Sequence, residues 1–285
     1  MATLPDRRLK MRSMTIDDVP ALHVMSQAEQ WPHRKQDLTA MLDLGNGMVA
    51  EMGGEVMASV MWWTCGESIA TLGMLLVAKR FRGAGIGRLV AEAALDQIGQ
   101  RSILLLATES GLPLARKLGF RGVSEVRQHQ GTSFTAPLIP LPAGERIRPM
   151  GRSDIEPISA LAQNATGLDR PTLMSTLFEK GHGIVLDRQG EVEGFAFFRR
   201  FGRGYVIGPV VAEDIPRAKA LVAQWLGTRS GEFMRIDVMG DCALHEWLEE
   251  LGLVGVDRFV TMVRGDEPEP TLCGRSFAIA SQALF

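Results

Sequence analysis

Cysteine is scarce. The chain has three in 285 residues, Cys65, Cys242 and Cys273, far apart and without a CxxC pair. That argues against a disulfide framework and against a cysteine-built zinc site. Net charge is also nearly absent, at −2 from 31 Lys and Arg against 33 Asp and Glu. Such a balance gives no electrostatic case for nucleic acid or an anionic membrane as partner. No apolar run approaches the roughly 18 residues of a membrane span. The stretch Met1 to Lys10 is polar and charged rather than a secretory leader, so a cytoplasmic protein is expected. No Gly-Lys-Ser/Thr occurs, which excludes a P-loop. What remains is an ordinary globular composition, 46% hydrophobic and 22% charged, long enough for two medium domains.

The chain repeats itself. Met11-Arg12-Ser13-Met14 with Asp18-Val19 recurs as Ile147-Arg148-Pro149-Met150 with Asp154-Ile155, an offset of 136 residues (147 minus 11). Gly47-Met48-Val49-Ala50 with Gly54-Glu55-Val56 recurs at that offset as Gly183-Ile184-Val185-Leu186 with Gly190-Glu191-Val192. Leu118-Gly119-Phe120 answers to Leu251-Gly252-Leu253. Landmarks in one order at nearly one offset indicate a duplicated domain rather than a solenoid. The expected division is residues 1–140, residues 144–265 and a tail, 266–285, with the proline-rich stretch 137–144 as linker.

In the first copy the pattern predicts a short strand (9–13) and a helix entered at Thr15 or Asp17. A hairpin (48–52 and 56–63) and a strand (69–77) follow. Then come a glycine loop, a helix with Ile86, Leu89, Val90, Ala93, Ala94 and Ile98 on one face, and a buried strand (102–108). A short helix ends at Gly119, and two closing strands are expected at 120–126 and 134–138. The class is mixed α/β (α+β), with antiparallel hairpins flanking a strand–helix–strand crossover.

The glycine loop carries the chemistry. In Arg82-Gly83-Ala84-Gly85-Ile86-Gly87-Arg88 a strand end runs into alternating glycines that open a helix. Bare backbone and the free amides of a first helical turn suit phosphate, and two arginines add cationic donors. A tight turn alone would need one glycine. The spacing is not GxGxxG, which disfavours a dinucleotide oxidoreductase.

These residues resemble the Arg/Gln-x-x-Gly-x-Gly/Ala signature of the GNAT acyltransferase superfamily. The preceding strand end Leu75-Leu76-Val77 and the later Leu114-Ala115-Arg116-Lys117-Leu118-Gly119-Phe120 match in the right order. Trp31-Pro32-His33-Arg34, Gln128-His129-Gln130-Gly131 and Ile207-Gly208-Pro209-Val210 resemble a bacterial tandem subgroup, up to about residue 265. The resemblance implies two copies of a mixed, mostly antiparallel sheet flanked by helices, with acetyl-CoA bound in the first. It implies that the backbone of Leu75, Leu76 and Val77 pairs with pantetheine. The loop from Arg82 through Gly83, Ala84, Gly85, Ile86 and Gly87 to Arg88 would hold the pyrophosphate, with Thr108 and Ser110 bordering the thiol end. The second copy has Glu213-Asp214-Ile215-Pro216-Arg217-Ala218-Lys219 at the corresponding place, without a glycine, and is expected to be degenerate.

The superfamily's usual acid and base are missing. Ala115 stands where a tyrosine often protonates the thiolate, and Thr71 and Gly73 stand near the place of a base glutamate. The one tyrosine, Tyr205, lies in the second copy. His33 and His129 are the near-neutral groups left, expected to converge on the acceptor cleft with Trp31 and Asp37 on the substrate side. Each is as readily a locally bonded histidine. His245-Glu246-Trp247-Leu248-Glu249 lacks a second histidine and reads as an amphipathic helix rather than a metal site. The expectation is an N-acyltransferase, monomer or homodimer, moving acetyl from acetyl-CoA to a small amine, without metal. A non-catalytic acyl-CoA sensor is the alternative.

Overall fold

A computed structural model describes residues 9–240, 242–271 and 274–285; Cys273 and the start of the polar N-terminal stretch lie outside the described residues. The first half runs β1 (Lys10–Ser13), α1 (Val19–Ala28), α2 (Lys35–Leu44), β2 (Asn46–Met52), β3 (Glu55–Cys65) and β4 (Ile69–Val77). It continues through α3 (Ile86–Ile98), β5 (Ser102–Ala107), α4 (Leu112–Lys117) and β6 (Arg121–Thr132). The second half repeats that order: β7 (Glu145–Pro149), α5 (Ile155–Thr166), α6 (Pro171–Lys180), β8 (His182–Arg188), β9 (Glu191–Phe201) and β10 (Gly204–Ala212). Then come α7 (Ile215–Thr228), β11 (Phe233–Met239), α8 (Leu244–Glu250), β12 (Leu253–Arg264) and a tail strand, β13 (Arg275–Ala278).

The sequence repeat is a repeat of contacts. Arg12 gives Nη1 and Nη2 to Asp18, each at 2.7 Å, and Arg148 does the same to Asp154 at 2.7 and 2.9 Å. Each pair ties the first strand of its half to the start of the first helix. Both halves join one 13-stranded sheet, in the order β1-β2-β3-β4-β5-β12-β6-β11-β13-β10-β9-β8-β7. The last long strands have changed places. β12 pairs with β5 of the first half, β6 pairs with β11 of the second, and the two pair with each other at the centre.

This corrects the expected closing strands. β6 is one twelve-residue strand, and Gln128–Gly131, which fell between the two expected strands, belongs to its second half. The segment 134–138 forms no strand, because β12 and β11 already hold both edges of β6. Phe134 and Leu138 are exposed there.

Helices cover both faces. One core, under α1, α2, α5 and α6, is continuous across the halves and includes Ala280, Ala283 and Leu284 of the tail. On the other face α3 packs over Val60, Leu72 and Leu105, while α7 and α8 pack over Ile207 and Ile236. Adjacent Trp62 and Trp63 serve opposite cores, as strand alternation requires. No helix among the described residues is long and apolar enough to cross a membrane.

Candidate active site

β4 and β5 run parallel and pair from Ile69↔Ser102 to Leu72↔Leu105, where the ladder stops. At that point β4 bulges. Between Ser59↔Leu76 and Met61↔Gly73 it carries one residue more than β3, and Met74 takes φ +51. A left-handed methionine costs on the order of 1–3 kcal/mol, and such bulges re-aim a strand. Beyond the bulge the strands part, leaving a slot of about 100 Å³ lined by Gly73, Met74, Leu105, Ala107, Leu114 and Ala115.

The slot opens into a groove of about 560 Å³ that brings together Leu75, Leu76, Val77, Arg82, Gly83, Gly85, Ile86, Gly87, Arg88, Thr108 and Ser110. Ala84 belongs to the same loop but does not line the groove. Gly83 and Gly85 have φ +80 and +81, and a Cβ on either would meet nothing within 4 Å. Packing therefore does not demand their bareness; only the backbone angle and the open groove do. Gly85 caps α3, so the unsatisfied first-turn amides and the helix dipole face that opening. A phosphate-bearing chain fits such a cradle.

Both arginines have protein partners. Arg82 pairs with Glu29 and gives Nε to the Val77 carbonyl at 3.1 Å; Arg88 reaches Glu92 at 2.7 Å. Glu29, Gly111 and Lys117 also line the groove and were not singled out by the sequence. Thr108 and Ser110 share a hydroxyl contact of 3.1 Å.

Trp31 walls both slot and groove. His33 stands edge-on to Trp31 and to Phe201 of the second half, at 5.9 and 5.6 Å between ring centroids. Its Nδ1 lies 2.9 Å from Ser26 Oγ. Burial, with the nearby Arg235 charge, lowers its pKa to about 4. Asp37 is committed elsewhere. It accepts from the Arg34 backbone and guanidinium and, at 3.1 Å, from the Gly202 amide. Burial alone would raise this carboxyl, but those hydrogen bonds hold it below the usual carboxylate range. Its geometry is that of a clamp between halves, not of a free carboxylate facing a substrate.

His129 is not at the cleft. It sits mid-strand in β6 and is buried, with Nδ1 3.1 Å from the Leu253 carbonyl and Nε2 2.9 Å from His245 Nδ1 on α8. Its neighbours Gln128 and Gln130 point the other way. With Gln30, Pro32, Arg203, Tyr205 and Arg235 they line a polar pocket of about 90 Å³ where the halves meet. A strand alternates its side chains, so reading 128–130 as strand instead of turn would have separated the histidine from the glutamines.

The second half has the same bulge, between Ile207↔Phe198 and Val210↔Ala196. β10 and β11 pair only over Tyr205–Ile207. The gap beyond is filled by β13, which pairs with Val210–Ala212 and with Val238. The place of the missing glycine loop is filled as well. Asp214 caps α7 by accepting from the Arg217 amide at 2.9 Å. Arg217 in that segment is only 12% exposed and bonds Glu145 and Asp214.

Comparison with known proteins agrees with this geometry. Residues 16–120 match the model of the acetyltransferase (GNAT) family and residues 158–276 that of an acetyltransferase (GNAT) domain. The chain is 25% identical over 260 residues to YitH of Bacillus subtilis, an uncharacterized N-acetyltransferase, covering 89% of this chain and 90% of that one. A Pyrococcus horikoshii protein of known structure superposes with TM-score 0.76 at 18% identity, over 100% of this chain and 99% of that one. A tandem GNAT protein from the clavulanic acid biosynthesis pathway gives 0.66 at 16% identity, over 93% and 100%. The chain belongs to the GNAT superfamily and is a tandem GNAT acyltransferase whose second copy carries no glycine loop.

Proposed function

We propose that the first half binds acetyl-CoA and transfers its acetyl group to a small amine, while the second half shapes the acceptor side. The observation that carries this is the slot between β4 and β5, ending at an open glycine cradle on the N-terminus of α3. Acetyl-CoA would supply an acyl thioester open to attack by an amine. The chain's residues supply the rest. Loop and first-turn amides from Gly83 to Gly87 would neutralise phosphate charge, and the parted edge of β4 from Gly73 to Val77 is open to an amide-bearing arm. Trp31 walls the slot where it meets the groove.

His33 is the base this reading uses; it lines neither slot nor groove and meets the site through its contact with Trp31. Ser26 Oγ also lies 3.4 Å from the Trp31 carbonyl. If the hydroxyl proton goes there, His33 must donate from Nδ1, which leaves the Nε2 lone pair for a proton from the amine. The imidazole is neutral at pH 7, the form that can accept, and so weak a base would take the proton only after the amine nitrogen has attacked the thioester and become acidic. Ala115 gives the slot no hydroxyl, so the departing thiolate takes its proton from solvent or from Ser110 at the groove.

Thiol release from acetyl-CoA, followed across a panel of small amines, tests the proposal. Amine-dependent release that is lost in a Gly85 variant supports it. Tight acetyl-CoA binding with no release for any amine would favour the sensor reading. Running longer acyl-CoA donors beside acetyl-CoA fixes the acyl group. The reading further expects no nucleic acid or membrane partner, and a monomer or homodimer.

A further inference from the structure

A second cavity, of about 370 Å³, lies between α2 and α6, where the two halves pack. It shares no lining residue with the cofactor slot or groove. Its volume falls in the roughly 300–1,000 Å³ range of small-molecule sites. The walls are apolar: Met41, Leu44, Leu173, Leu177, Phe201 and Leu284. Such walls exclude water and favour an aliphatic or aromatic body.

The charges lining it are one-sided. Arg34, Lys180, Arg199 and Arg200 are cations, and Asp37 is the only carboxylate. Asp37 is already matched by Arg34 at 2.6 Å. Asp43, outside the lining, lies 3.8 Å from Lys180. Arg199 is different. Its guanidinium lies over the Phe201 ring, 4.9 Å from the centroid, and Nη2 donates to the Ala280 carbonyl at 2.6 Å. Its Nε is shut off from solvent with no hydrogen-bond partner among the described residues. Burial lowers this arginine's pKa to about 10, with the Asp37 and Asp237 charges offsetting only part of that cost. No carboxylate forms an ion pair with Arg199 among the described residues, so an anion brought to its guanidinium from the cavity would be stabilised there.

We propose that this cavity is a binding site for a small monocarboxylate with an apolar body, its carboxylate on Arg199 and its tail between α2 and α6. A guanidinium edge presents parallel N–H groups that match a carboxylate. A single negative charge suits one buried cation, whereas a phosphate dianion would bring a second charge into an apolar chamber.

Octanoate, octylamine and octanamide are the probes, titrated calorimetrically into the full chain with and without saturating acetyl-CoA. Octanoate should bind one per chain, at least about tenfold more tightly than octylamine or octanamide, and acetyl-CoA should not displace it. Arg199→Gln should remove that preference, bringing octanoate to the octanamide level. Leu177→Trp, which fills the chamber from α6, should abolish binding of all three probes, with thermal unfolding showing both variants folded. Three results would overturn the proposal: no octanoate binding, equal binding of octylamine, or octanoate binding unchanged in either variant. Displacement by acetyl-CoA would also overturn it, by placing the carboxylate in the cofactor groove.

Discussion

Substituting Gly85 separates a turn from a ligand cradle. At φ +81 an L-residue pays the left-handed penalty, about 1–2 kcal/mol, but its Cβ meets nothing within 4 Å. Gly85→Ala and Gly85→Glu should therefore both fold, with Tm lowered by only a few degrees for a chain of this size. Binding should respond far more. A glutamate side chain enters the groove where the loop amides converge, displaces one or two charge-assisted hydrogen bonds and repels phosphate. Loss of one such bond is worth about 1.5–3 kcal/mol, so acetyl-CoA affinity should fall on the order of a hundredfold, about 2.7 kcal/mol. Gly190→Ala is the matched control. It has φ +96 and nothing within 4 Å, in the β8–β9 turn away from the groove. It should lose the same few degrees and no affinity. Calorimetric titration beside thermal unfolding reads both quantities. Parent-like acetyl-CoA affinity in folded Gly85→Glu would refute the cradle and leave the glycines as turn residues.

Acetyl-CoA should saturate at one per chain, since β13 and Asp214 fill the second copy's slot and loop; a stoichiometry of two by equilibrium dialysis would contradict this. The rate should lose its acidic limb near pH 4 in His33→Gln, because protonation of His33 removes the acceptor form; a parent limb near 6.5 would show an imidazole exposed to water. The same depressed pKa penalises the fold as pH falls from about 6.5, where the unfolded histidine protonates, to about 4. Denaturant titrations should show up to about 3 kcal/mol lost in that window, and less in His33→Gln. Asp37→Asn should cost about 2 kcal/mol or more in the same assay by loosening Arg34 and Gly202, with acetyl-CoA affinity kept.

What could be read in the sequence was local. The β2–β3 hairpin, β4, α3 and β5 follow from alternation, turn residues and helical spacing within stretches of about ten residues. The offset between copies resurfaces as the Arg12–Asp18 and Arg148–Asp154 pairs. His129 was misplaced because the identity of its strand depends on β11 and β12, more than a hundred residues away. The apolar Phe277-Ala278-Ile279-Ala280 could be read as a docking segment, but its berth is a gap created by a bulge in β10. Arg199 and Arg235 look like ordinary charged strand residues until the two halves are packed together.

The exchange of β6 and β12 reaches into how the molecule comes into being. The first half's β5, paired with β4 on one side, receives its second neighbour only from residues 260–264, about 150 positions later in the chain. Until those residues have left the ribosome, β5 presents a bare, apolar edge, the kind of surface that templates aggregation. Folding should accordingly be slow and all-or-none across both halves, since neither half of the sheet is completed before the other has formed. Two nascent chains side by side could also trade these strands with each other, so refolding at high concentration should yield exchanged dimers that dilution reverses only through unfolding.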